Sequence, residues 1–399
     1  MKDAQALCIG QFTDSFPPVI NGVSVLVAQY HAELRAQGQA AHVFTVGPAG
    51  DAIDPPNVWR THGARLGTSQ FHATVWLNRA SSRAARSLQV IHAHDSVAIG
   101  LIAARIARRT GRPLVFTNHT RHDFYVKNYP SWLQPILCRY ILGSIRRLIR
   151  TSALTTTPSR DSARWLRSLV PDRANAIRVI QNGIRLDQFD HIEDRIDRRV
   201  FGIDTRQTLF IYVGRLAPEK DLSVFAEALI RAIRDGADAH WLVVGDGPSR
   251  ADLEAEVAPI RPRVHFLGAV PNAHVAPLLA MADVFATPSI SETNPVSVIE
   301  AMACGLPYLG LEAGWWGDFS TDDGSGLAGV LTGDPIELAQ TIRQLCDDAA
   351  LRAHLGAQAK RLSRRFDIRT VTAQWIEIYR SLEATGEARP FPTGAPVYR

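Results

Sequence analysis

Short runs of aliphatic residues alternate with helix-length amphipathic patterns along the whole chain. Continuous runs of Val, Ile and Leu are typical of strands that are buried on both faces, as in parallel sheets. In the first half of the chain these runs occupy residues 7–10, 43–46, 90–94, 114–119, 153–158 and 177–182, and in the second half residues 209–214, 241–245, 264–268, 284–288 and 307–311. Helical patterns lie between them at residues 23–37, 97–109, 222–234 and 336–345.

This alternation predicts an α/β protein with two open, doubly wound parallel sheets, which form two facing Rossmann-like domains. The polar segment 186–199 is the predicted linker. We therefore expect an N-terminal domain over residues 1–190, a C-terminal domain over residues 191–367 and a tail over residues 386–399. Ligands of such sheets bind beyond the carboxyl ends of the strands, and two facing domains are expected to form a cleft.

The composition is that of a folded protein, with 399 residues, 46% of them hydrophobic and 21% charged. This is enough apolar material for two domains of ordinary size. The four cysteines have no metal-binding spacing, which indicates reduced, buried thiols in a cytosolic protein. We find no signal peptide and no apolar run near the roughly 18 residues that span a bilayer. We expect a cytoplasmic protein, either free or peripheral at the inner face of the cell membrane.

The segment 291–307, SETNPVSVIEAMACGLP, has the pattern of a loop that leads into a helix. Asn294 is a good N-cap and Pro295 suits the first helical position. Gly305 followed by Pro307 favours the end of the helix.

Two glutamates flank the start of this predicted helix. Glu292 lies in the loop, and Glu300 lies in the second turn. The backbone N–H groups of Val296 and Ser297, between them, are expected to point outward at the positive end of the helix dipole. An anion site between two hydroxyl acceptors suits a sugar nucleotide. A core helix with two solvated glutamates is an equally ordinary explanation of the pattern.

Glycine-rich turns and two cations follow two predicted strands of the second half. Gly214 allows a turn, and Arg215 and Lys220 come before the next helix, where they can offset the charges of a diphosphate. Gly245 opens a second turn, GDGP, that allows close backbone approach to a ligand. Arg250 occupies the third glycine position of a GxGxxG motif, which disfavours a dinucleotide-binding fold. Surface arginines and lysines near loops are common, so the cations alone are weak support.

In the first half, Asn21 and Gly22 open a predicted helix that offers a second anion-friendly N-terminus. His92 and His94 end a strand with the spacing of a metal-binding pair, but no third ligand is evident nearby. His119 ends the next strand. It is followed by polar and aromatic residues that are candidates for acceptor contacts: Arg121, Asp123 and Tyr125. The chain has no D-x-D pair, so we expect neither a metal-bridged diphosphate nor a cofactor.

Residues 134–150, QPILCRYILGSIRRLIR, combine seven aliphatic residues with Arg139, Arg146, Arg147 and Arg150. A basic amphipathic helix of this kind can lie on an anionic membrane surface. A domain helix with a solvated arginine face explains the pattern equally well. Nucleic acid is not an expected partner, because the segment lacks the interleaved aromatic residues of a single-strand groove.

The chain resembles glycosyltransferase family 4, a family of retaining enzymes with the GT-B fold, through eight motifs that occur in order along the sequence. The motifs that carry the resemblance are PVINGV at 18–23, IHAHDS at 91–96, TNHT at 117–120, TTTPS at 155–159, VIQNGI at 179–184, GRLAPEK at 214–220, VVGDGP at 243–248 and the paired glutamates at 292 and 300. The phrase TNHTRHDFY looks most like the lipid-directed members, such as diacylglycerol glycosyltransferases.

The resemblance implies metal-independent transfer of a hexose, with retention, from a UDP- or GDP-sugar to an acceptor hydroxyl, with a membrane lipid such as diacylglycerol as the acceptor. It implies that the diphosphate is held by Arg215 and Lys220, the ribose by Glu300, and the sugar 3- and 4-hydroxyls by Glu292 with the backbone of Asn294, Pro295 and Val296. It also implies that Gly22 lies against the diphosphate, that His119 contacts the sugar 6-hydroxyl, and that the last helix, about 368–385, crosses back onto the N-terminal domain.

The sequence departs from the family pattern after Leu311, where EAGWWGD replaces the usual Gly-Gly-hydrophobic-Pro-Glu turn. Trp315 and Trp316 either shape a sugar or acceptor pocket or fill a packing contact. Three alternatives to the lipid-directed enzyme stay open: a glycosyltransferase with a soluble acceptor, another GT-B activity such as an epimerase or phosphorylase, and a non-catalytic scaffold that binds nucleotide.

Overall fold

The computed structural model of the protein describes residues 5–19, 21–50, 53–65, 72–121, 131–192, 196–320 and 328–385. The chain divides into two compact units. Unit 1 contains the residues up to Ile184 together with those from Ile368 onward, and unit 2 is Arg185–Asp367. Each unit is built on its own parallel sheet.

The strands of both units are short and buried. In unit 1 they are β1 (Cys8–Phe12), β2 (Ala40–Val46), β3 (Val58–Thr61), β4 (Ala64–Arg65), β5 (His72–Ala73), β6 (Val90–Ala93), β7 (Leu114–Thr117), β8 (Leu154–Thr157) and β9 (Ile177–Val179). In unit 2 they are β10 (Thr208–Val213), β11 (Ala239–Val244), β12 (Val264–Gly268), β13 (Val284–Thr287), β14 (Tyr308–Leu311) and β15 (Gly329–Thr332).

The strand orders are those of doubly wound sheets. Among the described residues, the sheet of unit 1 runs β3-β2-β1-β6-β7-β8-β9 and that of unit 2 runs β12-β11-β10-β13-β14-β15. Every pair within these two sheets is parallel, and β4 and β5 form a separate antiparallel pair. The predicted α/β fold class with two parallel sheets is confirmed.

Helices connect the strands. They are α1 (Gly22–Ala36), α2 (Arg79–Ala84), α3 (Ala98–Thr110), α4 (Gln134–Thr151), α5 (Arg160–Leu169), α6 (Asp187–Asp190), α7 (Leu222–Arg234), α8 (Arg250–Glu256), α9 (Val275–Ala280), α10 (Val296–Ala303), α11 (Pro335–Asp347), α12 (Ala349–Ser363) and α13 (Ile368–Thr385). α13 belongs to unit 1, where Trp375 and Tyr379 pack in one cluster with Tyr30 of α1 and Val115 of β7. None of the described helices is both long enough and apolar enough to cross a membrane.

Trp315 and Trp316 lie in the core of unit 2, each 1% exposed. Their rings stack with centroids 3.8 Å apart, and Trp316 stacks on Tyr308 at 4.4 Å. Phe319 closes the group edge-on. Large aromatic side chains bury much apolar surface, so this stack stabilises the packing around β14. Of the two explanations offered above for the tryptophan pair, these contacts support packing.

The four cysteines are free thiols, as predicted, but all four are half-buried rather than buried. Cys8 lies in a strand and Cys138, Cys304 and Cys346 lie in or directly beside helices. The prediction of burial was wrong because these positions lie at the margins of the cores.

Candidate active site

The loops that carry the predicted cations and Glu292 are neighbours in space. In the sheet of unit 2 the order of strands reverses between β10 and β13, which pair directly. Loops that leave the carboxyl ends of two such strands diverge and leave a crevice, where ligands of open α/β sheets bind. The segment 214–220 follows β10 and the segment 288–295 follows β13.

Two glycines join the first of these loops to its neighbour after β11. Gly245 has a φ of +141°, and a Cβ there would lie 1.8 Å from the carbonyl oxygen of Gly214. Gly247 is packed in the same way against the carbonyl of Leu216. Leu216 N–H donates to the carbonyl of Asp246 at 3.0 Å. The GDGP turn was predicted to approach a ligand closely. In the structure its backbone lies directly against the loop that carries Arg215.

Each predicted cation contacts a carboxylate. Lys220 Nζ lies 2.5 Å from Glu292 Oε1, and both side chains are largely buried. Arg215 forms an ion pair with Glu219, whose side chain is 5% exposed, while Arg215 itself is 52% exposed. Ser291 Oγ donates to the carbonyl of Glu219 at 2.8 Å, which joins the two loops. The structure thus brings Arg215 and Lys220 together with Glu219 and Glu292, in one cluster whose charges sum to zero.

The start of α10 differs from the prediction. Pro295 is the N-cap, with φ −68° and ψ 120°, and no side chain caps the helix. Asn294 was predicted as the cap, but it lies one residue further out and is buried. The physical reason is that the extended ψ of Pro295 lets its carbonyl accept from the N–H groups of Val298 and Ile299, at 3.2 and 3.4 Å. The helix therefore begins at Val296.

Glu300 is buried inside unit 2, with 4% of its surface exposed. Burial raises its pKa to about 7, against which a hydrogen bond with Asn272 acts. Burying a carboxylate costs free energy unless the charge is paired with a cation or satisfied by hydrogen bonds. The alternative of two solvated glutamates is therefore wrong for Glu300.

Unit 1 has a matching reversal of strand order between β1 and β6. Thr13 Oγ1 lies 2.9 Å from Asp95 Oδ2, and Asp14 N–H donates to the same oxygen at 2.7 Å. Asp14 Oδ1 accepts from the N–H of Ile99 at the start of α3. Burial first, and then the charge of Asp95, raises the pKa of Asp14. Sequence reasoning missed this carboxyl pair, although an aspartate directly after each of two neighbouring strands was a usable signal.

Gly22 begins α1, as predicted, and Asn21 caps the helix in a capping box with Ser24. A Cβ built on Gly22 would have no neighbour within 4 Å. Among the described residues, packing therefore leaves open space at this position.

The histidines form a column at the carboxyl edge of the sheet of unit 1, in which His92 and His94 are buried and His119 is half-buried. His92 and His94 share a strand face, as predicted, with ring centroids 4.0 Å apart, and His119 stacks on His94 at 5.4 Å. His92 bonds Tyr379 and Thr117, both at 2.6 Å. Within the part of the chain that the structure describes, no group of three or more His, Cys, Asp or Glu residues could hold a metal ion.

The predicted acceptor residues are only partly described. Arg121 forms an ion pair with Asp161 and lies over the ring of Trp165 at 5.3 Å. Asp123 and Tyr125 lie outside the described residues. The guanidinium of Arg121 is thus oriented by α5.

Two family models match the chain, one in each unit. The model described as Glycosyltransferase Family 4 matches residues 20–188, and the model described as Glycosyl transferases group 1 matches residues 207–348. The second match contains the loops that carry Arg215 and Lys220, and also Glu292 and Glu300.

Curated relatives and solved structures agree with these matches. The chain is 24% identical over 324 residues to the alpha-monoglucosyldiacylglycerol synthase of Acholeplasma laidlawii, covering 75% of this chain and 79% of the relative. It is 30% identical over 293 residues to the sulfoquinovosyl transferase SQD2 of Arabidopsis thaliana, covering 71% and 55% respectively. The crystal structure of Anabaena Alr3699/HepE in complex with UDP and glucose superimposes with a TM-score of 0.72 at 20% identity, covering 94% of this chain and 99% of that one. The last likeness shows a shared fold.

Proposed function

The chain belongs to glycosyltransferase family 4 and has the GT-B fold, and from that premise we propose that it transfers a hexose from a UDP- or GDP-sugar to a hydroxyl of a membrane lipid such as diacylglycerol, with retention of configuration. The observation that carries the proposal is the cluster of Arg215, Lys220 and Glu292 beside α10, at the strand-order reversal of unit 2. A diphosphate next to a sugar needs cations and a hydroxyl acceptor in this arrangement.

In the proposed reaction the bond between the anomeric carbon and the diphosphate oxygen breaks. A bond from the acceptor oxygen forms on the same face, and the acceptor proton passes to the leaving phosphate. Negative charge grows on that phosphate, and preorganised cations and helix dipoles stabilise it. Arg215, Lys220 and the N-terminus of α10 supply these charges.

Further roles follow from the family resemblance. We assign Glu292 to the sugar 3- and 4-hydroxyls and Glu300 to the ribose. His119 is assigned to the sugar 6-hydroxyl and Gly22 to the diphosphate. Two observations are compatible with these roles: Glu300 is buried, and among the described residues the space that a Cβ of Gly22 would occupy is open. On the acceptor side we retain Arg121, Asp123 and Tyr125.

The test is donor consumption with defined acceptors. The protein is mixed with UDP- or GDP-hexoses and either diacylglycerol vesicles or soluble polyols, and nucleoside diphosphate release is followed. We expect release that depends on lipid acceptor, and a product whose anomeric proton coupling matches that of the donor. Release that occurs equally without acceptor indicates another GT-B activity, and transfer only to polyols indicates a soluble acceptor.

The exposed face of α4 supports the membrane part of the proposal. In α4 the inner face, including Ile145, Leu148 and Ile149, packs in the core of unit 1. The outer face carries Ile136 and Tyr140, and Trp132 just before the helix is 73% exposed. Three of the four arginines of α4 are also exposed: Arg139, Arg147 and Arg150. An aromatic and basic surface of this kind suits the headgroup region of an anionic bilayer.

Replacing Arg139, Arg146, Arg147 and Arg150 together by Glu should abolish co-sedimentation with acidic vesicles and leave nucleotide affinity unchanged. Each basic residue near an anionic surface contributes about 1 kcal/mol. The matched control is the double replacement of Arg231 and Arg234, exposed residues of α7, by Glu. Wild-type protein should be released by salt, because the Debye length falls from about 10 Å at 0.1 M to 3 Å at 1 M. No sedimentation of the wild type at low salt contradicts the membrane proposal.

We also propose that the transfer needs no divalent metal, because Arg215 and Lys220 already offer two cations to the diphosphate. Activity should survive excess EDTA followed by desalting. The same assay with added magnesium or manganese should give the same rate. Complete loss with EDTA, restored by either ion, would show that a metal takes part.

A further inference from the structure

His94 is buried in unit 1, with 2% of its surface exposed, directly after β6. Its Nδ1 lies 3.1 Å from Nε2 of His119, within hydrogen-bond distance. Its other ring nitrogen, Nε2, is buried and has no hydrogen-bond partner among the described residues. Among the described residues, the ring of His94 therefore has one hydrogen-bond partner, His119.

The neighbouring His92 is different. Both of its ring nitrogens have partners, the hydroxyls of Tyr379 and Thr117, so it belongs to a closed polar network. Buried polar atoms in native proteins are almost always satisfied, and an exception needs an explanation. An aliphatic residue at position 94 would avoid the unsatisfied nitrogen. The fold gains little from an imidazole at this position, whereas His119 gains a hydrogen bond.

The same contact indicates where the protons are. Burial lowers the pKa of His94 well below its ordinary value and that of His119 to about 4, so both rings are neutral at pH 7 and carry one N–H each. Orphaned buried N–H groups are rarer than under-satisfied acceptors. The proton of His94 is therefore on Nδ1, which donates to Nε2 of His119. The proton of His119 is then on its Nδ1.

We propose that His94 is a positioning residue for the transfer reaction, which fixes the ring of His119 and keeps it as the neutral Nδ1–H tautomer. In this form the N–H donor of His119 is at Nδ1, and the lone pair of Nε2 accepts from His94. The chemical part of this inference rests on the proposed function, in which His119 contacts the donor sugar. The tautomer itself does not depend on that function.

The test compares two nearly isosteric replacements. The side-chain amide of His94→Asn can place an N–H near the position of Nδ1, whereas His94→Leu has a similar volume and no donor. We expect His94→Leu to lower kcat by about ten- to hundredfold, the loss typical of a misplaced reacting geometry. UDP affinity should change less than about threefold, because His94 is not in the cation cluster. His94→Asn should restore kcat to within about threefold of the wild type.

Nitrogen-15 NMR of the histidine rings provides the second readout. In wild-type protein at pH 7.5, His119 should show the Nδ1–H tautomer, and in His94→Leu a mixture of tautomers. An Nε2–H tautomer of His119 in the wild type overturns the inference, and so does equal kcat in the Asn and Leu variants. If UDP does not bind at all, the proposed function fails while the tautomer result still stands. If His94→Leu does not fold, the inference is tested by the tautomer of His119 in the wild-type spectrum and by the kcat of His94→Asn.

Discussion

Replacing Arg215 or Lys220 by alanine should weaken UDP binding by about ten- to hundredfold and slow transfer. A charge-assisted hydrogen bond contributes about 1.5–3 kcal/mol, and each substitution removes at least one such bond to the diphosphate. The loss should be greater for Lys220→Ala. In the wild type the ammonium of Lys220 lies 2.5 Å from the carboxylate of Glu292. Without the ammonium this carboxylate is left unpaired and repels the phosphate. Arg215→Ala should also lower thermal stability, because Glu219 is 5% exposed and loses its cation.

Calorimetric titration with UDP and with GDP measures both affinities and also identifies the preferred base. Arg206→Ala is the matched control, since this side chain is 94% exposed on the same unit and pairs only loosely with Asp204 at 3.8 Å. The control should bind UDP like the wild type. Wild-type affinity and turnover in both Arg215→Ala and Lys220→Ala would remove these residues from the diphosphate site.

The fold could be predicted because its parallel strands are buried on both faces. Runs such as LFIYV in β10 and WLVV in β11 are hydrophobic from end to end, and each predicted strand has a counterpart within a few residues. Four described strands were not predicted: β3, β15 and the two-residue strands β4 and β5. The two longer ones have a weaker pattern. β3 reads VWRT and is half-buried at a sheet edge, and β15 reads GVLT at the opposite edge of the other sheet. β9 and β12 are edge strands too and were predicted, so the short mixed sequences of β3 and β15, rather than their edge position alone, explain why they were missed.

The residue types of the candidate site could be predicted, but their contacts could not. Lys220 and Glu292 are 72 positions apart, and only the strand order of unit 2 brings their loops together. The same holds for Asp14 and Asp95 in unit 1. Periodicity also could not decide which face of α4 is buried. Ile145 and Ile136 look equivalent in the sequence, yet one lies in the core and the other is exposed.

Replacing Glu300 by glutamine should make the ligand-free protein more stable at pH 8. The pKa of Glu300 is raised from 4.5 to about 7 by burial, so between these values the folded state holds more protons than the unfolded state. The free energy of unfolding therefore falls as the pH rises through this range, by about 1.4 kcal/mol for each unit of pKa difference. In the Glu300→Gln variant the side chain does not titrate, so this decrease in the free energy of unfolding does not occur. Relative to the wild type it should gain on the order of 2–3 kcal/mol between pH 5 and pH 8 in urea unfolding.

The same substitution should reduce nucleotide affinity, because a neutral amide is a weaker acceptor for ribose hydroxyls than a carboxylate. In the wild type, UDP binding should weaken below pH 7 by up to about tenfold per unit, since Glu300 must lose its proton to bind. The Glu300→Gln variant reports the titration of the phosphate alone and should show a flatter profile.

Glu292→Gln is the comparison within the site, and it should keep UDP affinity while losing transfer, because Glu292 is assigned to the sugar. If Glu292→Gln loses as much UDP affinity as Glu300→Gln, the two glutamates do not divide ribose and sugar between them. If Glu300→Gln is no more stable than the wild type at pH 8, the carboxylate is not strained in the free protein, and its burial needs another explanation.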